Sequence, residues 1–259
     1  MEVLSSTIIQ AMADMLLPFM RVSGLFAAMV GFSAKSIPPP VRALLTLFLS
    51  VLVMPLIQPV PVDDLVSPGT WVLMIQQLLI GLAAGFVTMM LLNTFVLAGQ
   101  VVAMQTGLGF ASIVDPVNGI NVPAVGQFYL ILATLLFWVM DGHLAMIRMI
   151  VLSFEALPVG QGLFAVSNFQ ALAHWGSFMF IAALTLSLAP IVSLLIINLS
   201  FGVMTKAAPQ LNIFTLGFAI AQIIGLIVVW ITMDNFAIHF EHDWLEAQQL
   251  ICSMLQVCR

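Results

Sequence analysis

Six long apolar runs, joined by short links rich in proline and glycine, dominate this sequence. An α-helix needs about 20 apolar residues to cross roughly 30 Å of hydrocarbon, so each run is long enough to span a membrane. Charged residues make up 7% of the chain, whereas a soluble domain carries about 25%. The sequence therefore predicts an all-α integral membrane protein of about six hydrophobic helices. The predicted runs are 8–30, 41–60, 71–103, 127–152, 176–200 and 213–238.

The third run is longer than a simple membrane span. At about 1.5 Å per residue it would reach roughly 50 Å, so we expect it to tilt, kink or project beyond the bilayer. Gly81, Gly85 and Gly99 are positions where it can bend. Gly81 and Gly85, with Ala83 and Ala84 between them, also form a small-residue face that permits close helix contact.

The basic residues indicate an orientation. Lys35 and Arg42 flank the first link and Lys206 lies in the fifth, whereas the second link holds Asp63 and Asp64 without a basic residue. Lysine and arginine are concentrated in cytoplasmic loops. With six spans, the sequence predicts that the odd-numbered links are cytoplasmic and that both termini lie on the far side of the membrane.

Two groups of charges fall within or beside apolar runs. Asp14 and Arg21 lie seven residues apart, so they share one face of the first helix. Intramembrane charges are costly, so this pair indicates either a helix that lines a pathway or an ion pair with groups that reach the interface. Asp141, His143 and Arg148 form the second group. We interpret it as an interfacial or subunit-packing cluster, because the other spans offer almost no acid or histidine for a proton relay.

The sequence shows no motif that predicts catalysis. It contains no nucleophile elbow, phosphate-binding loop, zinc motif or paired-carboxylate site, so we predict a protein that is not an enzyme and has no cofactor, metal or catalytic residue. The six Lys and Arg residues are scattered singly, which argues against nucleic-acid binding.

The C-terminal tail combines acidic residues, histidines and two cysteines. The cluster around His239 and Asp243 is interpreted as a solvated helix end and not as a metal site. Cys252 and Cys258 form a C-x5-C pair, which fits no usual metal or redox spacing. The spacing favours two ordinary cysteines, or a disulfide if this end faces an oxidising space.

The link from Thr106 to Gly126 is unusual, because it is apolar and yet broken by glycines and prolines. Non-helical backbone survives at membrane depth only when it is buried in protein or lines a water-filled cavity. The link therefore predicts a re-entrant or occluding loop, with a loop lying along the interface as the alternative. Its helix-breaking residues are Gly107, Gly109, Pro116, Gly119 and Pro123.

Four segments of the chain resemble one protein family. The central link with its continuation Ala124-Val-Gly-Gln-Phe128 is similar to the central segment of the FliR family of flagellar export proteins and their injectisome counterparts. Residues 201–218 contain the family's Ala-Pro-Gln-Leu-Asn-Ile-Phe signature, and residues 21–26 and 37–42 also fit. The resemblance runs in collinear order from about residue 15 to 235. The signature residues are Pro209, Gln210, Leu211 and Asn212.

The resemblance implies a subunit of the type III secretion export gate, and flagellar membership is favoured over injectisome membership. In this family the helices wind into a helical hetero-oligomer around a closed pore, and the central loop is a plug. Phe110, Ile113 and Val114 would be its apolar obstructing part, and Gly107, Gly109 and Gly119 would supply its bends. The implied plug consists of Gly107, Leu108, Gly109, Phe110, Ile113, Val114, Asp115, Pro116, Asn118 and Gly119.

The resemblance also implies partners and a location. The partners would be several copies of the P and Q gate subunits, the B and A membrane proteins of the export apparatus, unfolded secreted flagellar proteins, and lipid. The location would be the bacterial inner membrane, in the flagellar basal body. The charges assigned to inter-subunit contacts or to a pathway are Asp14, Arg21, Arg42, Arg148 and Lys206.

The chain is expected to be one membrane-embedded subunit. Residues 1–126 would form the N-terminal helices and plug loop, 127–238 the C-terminal helices, and 239–259 an acidic amphipathic tail. Two other functions are considered. A secondary transporter would need polar groups near the middle of the membrane, and intramembrane charge is scarce. A scaffold without a pore-lining role would leave the occluding loop unexplained.

Overall fold

The computed structural model describes residues 2–33, 37–57, 67–110, 112–114, 121–160, 166–207 and 213–258. Five helices in these ranges are long and apolar enough to cross a membrane, or six if the bent helix pair Ala124–Val139 and Gly142–Ala156 counts as one span. The predicted all-α membrane class is confirmed, with the addition of one short hairpin. The helices are α1 (Glu2–Ala28), α2 (Pro39–Val53), α3 (Pro68–Gln105), α4 (Ala124–Val139), α5 (Gly142–Ala156), α6 (Val166–Ala207), α7 (Ile213–Thr232) and α8 (Phe236–Leu255), and the strands are β1 (Ser112–Val114) and β2 (Asn121–Pro123).

The predicted fourth span, 127–152, is two helices. The break lies at Asp141, which has a φ of 54° in the left-handed region. Asp141 also begins α5, because its carbonyl accepts hydrogen bonds from the N–H groups of Leu144 and Ala145. Left-handed backbone is costly for most L-residues, but Asp tolerates it. The apolar pattern continues through the break, so hydrophobicity alone predicted one helix.

Two helices are much longer than the hydrocarbon thickness of a bilayer. α3 has 38 residues and α6 has 42, which correspond to roughly 57 and 63 Å, about twice the hydrocarbon thickness. The predicted excess length of the third run is confirmed. The fifth run was predicted as 176–200, and α6 extends beyond it at both ends. At the C-terminus, α8 begins at Phe236, three residues before the predicted tail.

The described contacts group the chain into two compact units. Unit 1 comprises Met1–Met90, Phe137–Trp175 and Glu246–Arg259, and unit 2 comprises Leu91–Leu136 and Gly176–Leu245. This grouping does not follow the order of the sequence, because α3, α4, α6 and α8 each contribute residues to both units.

Direct backbone contact between α1 and α3 organises unit 1. A Cβ atom added at Gly81 would lie 2.8 Å from the backbone nitrogen of Leu25, and one added at Gly24 would lie 2.8 Å from the nitrogen of Leu82. Gly85 approaches α1 equally closely. Gly81 and Gly85 therefore serve the predicted helix contact, and α3 runs on through both of them without a break. Around this crossing, α1, α2, α3 and the α5 region share an apolar core of Leu17, Val53, Met74, Phe154 and Val159.

An aromatic cluster forms the core of unit 2. The Phe95 ring of α3 lies 5.1 Å from Phe236 and 5.4 Å from Phe240, both on α8, between ring centroids. Tyr129 of α4 packs edge-on against Phe236 at 5.3 Å. Such tilted and edge-on pairs add stability beyond the area that they bury.

The glycine contact between α1 and α3 predicts a specific sensitivity. Gly81→Ala inserts a methyl group where only backbone fits, so we expect it to destabilise the folded chain by about 1–3 kcal/mol, the usual cost of overpacking. Thermal unfolding in detergent, followed by tryptophan fluorescence, measures the change.

Gly202→Ala on α6 is the matched control, because a Cβ there meets nothing within 4 Å. Alanine also has the higher helix propensity, so the control should unfold at the same or a higher temperature. Equal unfolding temperatures for the two variants would contradict the close contact.

Candidate functional site

The central link begins where α3 ends. Gly107 has a φ of 76°, the left-handed conformation that commonly follows a helix C-terminus and that glycine adopts without steric cost. The hydroxyl of Thr106 donates a hydrogen bond to the carbonyl of Ala103 at 3.0 Å, and it lies 3.4 Å from the N–H of Leu108. Thr106 therefore stops the helix, and Gly107 turns the chain into the link.

Within the link the backbone forms a short antiparallel hairpin. After a single 3₁₀ turn at Leu108–Phe110, strand β1 pairs with β2 in the register Ser112 with Pro123, Ile113 with Val122 and Val114 with Asn121. The 3₁₀ turn packs against β2. Phe110 thus lies in the turn, and Ile113 and Val114 lie in β1. Of the predicted plug, Asp115, Pro116, Asn118 and Gly119 fall outside the described residues.

The helices on either side of the hairpin touch through glycines. A Cβ atom at Gly99 of α3 would lie 2.6 Å from the Cα of Gly126 in α4. Gly225 of α7 packs closely on the side chain of Thr106, where an added Cβ would lie 2.5 Å from its methyl group. Gly99 was predicted as a bend, but its position is explained by this contact. The hairpin therefore connects two helices whose backbones are in contact at Gly99 and Gly126.

Of the three glycines predicted to bend the link, Gly107 and Gly109 lie among the described residues, and their backbone angles test the prediction. Gly107 has the positive φ that a bend requires, as predicted. Gly109 does not belong to the positive-φ glycines, and a Cβ added there would make only ordinary contacts, the nearest at 3.5 Å from Met104. The prediction that Gly109 is needed for a bend is wrong, because another residue would fit its conformation and its space.

Apart from the central link, Arg21 forms a buried polar centre inside unit 1. Its side chain is fully buried. Its Nε donates to the Oε1 of Gln77 on α3 at 2.7 Å. Its Nη1 donates to the carbonyl and hydroxyl oxygens of Ser153 on α5 at 2.9 and 3.0 Å, and its Nη2 donates to the carbonyl of Leu157 at 2.9 Å. The guanidinium also lies 4.1 Å from the centre of the Phe154 ring.

These contacts correct the interpretation of Arg21 as the ion-pair partner of Asp14. The carbonyls of Ser153 and Leu157 lie at the C-terminal end of α5, where a cation is favoured, and the Ser153 carbonyl also accepts a hydrogen bond from the N–H of Leu157. The guanidinium therefore caps α5 and joins it to α1 and α3. Asp14 instead accepts a hydrogen bond from Gln10 at 2.8 Å. Arg21 thus does not pair with Asp14, and its hydrogen-bond partners lie within this chain. Its assignment to an inter-subunit contact or to a pathway stays a prediction.

The other predicted charges lie apart from Arg21. Arg148 on α5 and Lys206 in the last turn of α6 are exposed, whereas Arg42 near the start of α2 is half-buried. Asp141 and His143 flank the break between α4 and α5, where the His143 ring lies 4.4 Å from the Trp138 ring. No inter-subunit contact tests these assignments, so they stay predictions. The signature residues 209–212 are outside the described ranges.

Sequence reasoning missed several features of the central hairpin and of the Arg21 centre. The hairpin has a signal, because β-branched residues on both sides of a glycine-containing link are typical of two strands joined by a short loop. Gln77 and Ser153, which bind Arg21, have no such signal, since they lie 56 and 132 residues from it. Among the described residues, no group of three or more His, Cys, Asp or Glu side chains is placed to hold a metal ion.

Comparison with known proteins identifies the family. The family model described as "Bacterial export proteins, family 1" matches residues 12–247, which include the central link, the Arg21 centre and α6 to α8. The chain belongs to this family.

Curated members of this export family are similar along almost their whole length. "Flagellar biosynthetic protein FliR" of Pectobacterium carotovorum subsp. carotovorum is 35% identical over 239 residues, which cover 92% of this chain and 91% of the relative. The protein of that name from Escherichia coli strain K12 is 32% identical with the same coverage, and that from Bacillus subtilis strain 168 is 27% identical over 88% of this chain and 89% of its own. The predicted FliR resemblance is confirmed, and the export protein described here is a subunit of the flagellar export apparatus.

The Arg21 centre of this export protein predicts a large effect of substitution. Arg21→Met removes the donors of four hydrogen bonds and leaves buried acceptors on Gln77, Ser153 and Leu157. Each buried acceptor left without a donor costs about 1–3 kcal/mol. We expect loss of most folded chain, measured as the monodisperse fraction in size-exclusion chromatography in mild detergent.

Arg148→Met removes the same type of charge from an exposed position on α5 and should leave the folded fraction unchanged. Arg21→Lys keeps the charge without the planar fork, so its folded fraction should lie between those of Arg21→Met and the unsubstituted chain. A normal folded fraction for Arg21→Met would show that the buried network does not stabilise unit 1.

Proposed function

We propose that this member of the flagellar export apparatus is the R subunit of the export gate, and that its central hairpin closes the channel through which flagellar proteins cross the inner membrane. The helices supply the wall and the hairpin supplies the obstruction. On this proposal export substrates are unfolded chains, and opening is a displacement of the hairpin. The chain would catalyse no covalent reaction, in keeping with the structural role implied by its family.

The observation that carries this proposal is the form of the central link. A loop that must block a pore and later move needs a defined backbone and a fixed base. The β1–β2 ladder supplies the first. The contact between Gly99 and Gly126 supplies the second, because it holds α3 and α4 together within two helical turns of the link between them. Thr106 and Gly107 mark a sharp boundary between the helix and the part that would move.

The apolar surface supports assembly with other hydrophobic subunits. Large apolar side chains of α6 are exposed along much of the helix, from Phe180 to Val203, and Leu199 is 70% exposed. A bilayer covers only about 30 Å of apolar surface, whereas the exposed apolar side chains of α6, counted from Phe169 to Val203, extend over roughly 51 Å. A face of this length is consistent with cover by P and Q gate subunits in addition to lipid. The B and A membrane proteins would be further partners.

A secondary transporter is not favoured. That function predicts polar side chains that are available to a solute near the middle of the membrane. The buried charge that suggested a pathway is Arg21, and Gln77, Ser153 and Leu157 already accept hydrogen bonds from its donors. The family comparison points to the flagellar export apparatus instead.

Replacing Phe110 and Ile113 together by glycine tests the hairpin as the closure of the channel. The substitution removes bulk from the obstructing segment, so the assembled gate should become leaky to small ions. The ionic conductance of the reconstituted complex in a planar bilayer measures the leak.

The matched control is Phe110→Leu with Ile113→Val, which keeps apolar bulk and should keep the gate closed. Both variant complexes must contain the same subunits by native mass spectrometry, so that a leak is not confused with failed assembly. Correctly assembled glycine variants with unchanged conductance would overturn closure by the hairpin. A well-folded monomer or dimer that needs no partners would overturn the gate-subunit proposal itself.

A further inference from the structure

The C-terminal end of α8 is closed by a covalent link. Cys252, in the last turn of α8, is joined to Cys258 by a disulfide, and their Cα atoms lie 5.2 Å apart. This separation is within the usual range for disulfides. Cys252 is buried and Cys258 is exposed. These are the only two cysteines of the chain, so the pairing within the chain is unambiguous. Of the two alternatives left by the sequence, it corresponds to a disulfide at an end that faces an oxidising space.

The backbone at this helix end is already folded for the link. Gln256 has a φ of 56°, and the N–H of Val257 donates to the carbonyl of Cys252 at 3.1 Å. A left-handed residue followed by this six-residue hydrogen bond is the Schellman motif that terminates helices. The motif reverses the chain and brings Cys258 back beside Cys252. A left-handed glutamine is not favoured by its own propensity, so the covalent link and the cap support one another.

The charge pattern places the same end in a definite compartment. Arg42 and Lys206 lie at the links predicted to be cytoplasmic, which puts both termini on the opposite side of the membrane when the chain makes six spans. Disulfides form and persist in oxidising spaces such as the bacterial periplasm and are rare in the cytosol. Two unrelated observations, the distribution of charge and the cysteine geometry, thus agree.

We propose that Cys252–Cys258 is a structural disulfide formed in the periplasm, and that it locks the C-terminal cap of α8. Its formation removes two protons and two electrons from the two thiols. A periplasmic protein that carries an active disulfide accepts them by thiol–disulfide exchange and becomes a dithiol. The bond holds Gln256 and Val257 where they line a cavity of about 350 Å³ together with Leu152, Glu155 and Ala156 of α5. The cap thus lies beside the part of α5 whose carbonyls Arg21 binds.

Thiol counting tests the bond and its compartment. Cells that carry the full chain with its gate partners are quenched with acid and denatured. They are then treated with a maleimide that bears a polyethylene glycol chain, which shifts the protein once on a gel for each free thiol. We expect no shift without reductant and a double shift after dithiothreitol. The controls, Cys252→Ser and Cys258→Ser, should each show a single shift under both conditions.

A host that lacks its periplasmic dithiol oxidase tests whether the disulfide forms in the periplasm. There the untreated chain should show the double shift. A double shift in the normal host would overturn the disulfide, and an unshifted chain in the oxidase-deficient host would overturn its periplasmic origin.

Hydrogen exchange tests the structural role. Reduction of the purified complex, or Cys258→Ser, should speed exchange of the amide of Val257, which the cap protects. Unchanged exchange would overturn the locking of the cap while leaving the bond itself in place.

Discussion

The scarcity of charge gives the buried guanidinium of Arg21 its importance. A cation inside an apolar protein is tolerated only where each of its donors finds an acceptor. Gln77, Ser153 and Leu157 provide those acceptors from α3 and the end of α5. This arrangement requires α1 to lie directly on α3, and the glycines of the crossing allow it. The close packing of α1 on α3 and the hydrogen bonding of the buried Arg21 thus depend on each other.

Glycine also allows a close helix contact beside the central link, where the contact restricts the ends of the hairpin. Gly99 and Gly126 let the backbones of α3 and α4 meet just before the chain leaves helical structure. A segment between two helices in contact has limited freedom at its base, and the pairing of β1 with β2 limits it further. The chain thus combines a helix pair in close contact with a short hairpin between its two helices. That combination suits an element that must close a channel and yet be displaced.

The long helices explain how such a chain can serve an assembly. A soluble protein hides its apolar residues in its own core, but α6 leaves large apolar side chains exposed along much of its length. Lipid covers part of such a surface, and the remainder is suited to neighbouring hydrophobic subunits. This division is consistent with the family to which the chain belongs, whose relatives are named as flagellar biosynthetic proteins. Burial within the chain is concentrated in α3 and α1, and α6 contributes little to it.

Local patterns in the sequence determined the features that depend on composition and spacing. Apolar run length gave the membrane class and most helices, small residues at Gly81 and Gly85 gave a close helix contact, and the central link and the signature at 209–212 gave the family. Tertiary structure decided what depends on distant partners. Asp141 breaks a continuous apolar run because its backbone is left-handed, and Cys258 reaches Cys252 because the chain reverses at Gln256. Arg21 is satisfied by residues 56 and 132 positions away, a distance at which spacing carries no information, since only the fold brings those acceptors to it.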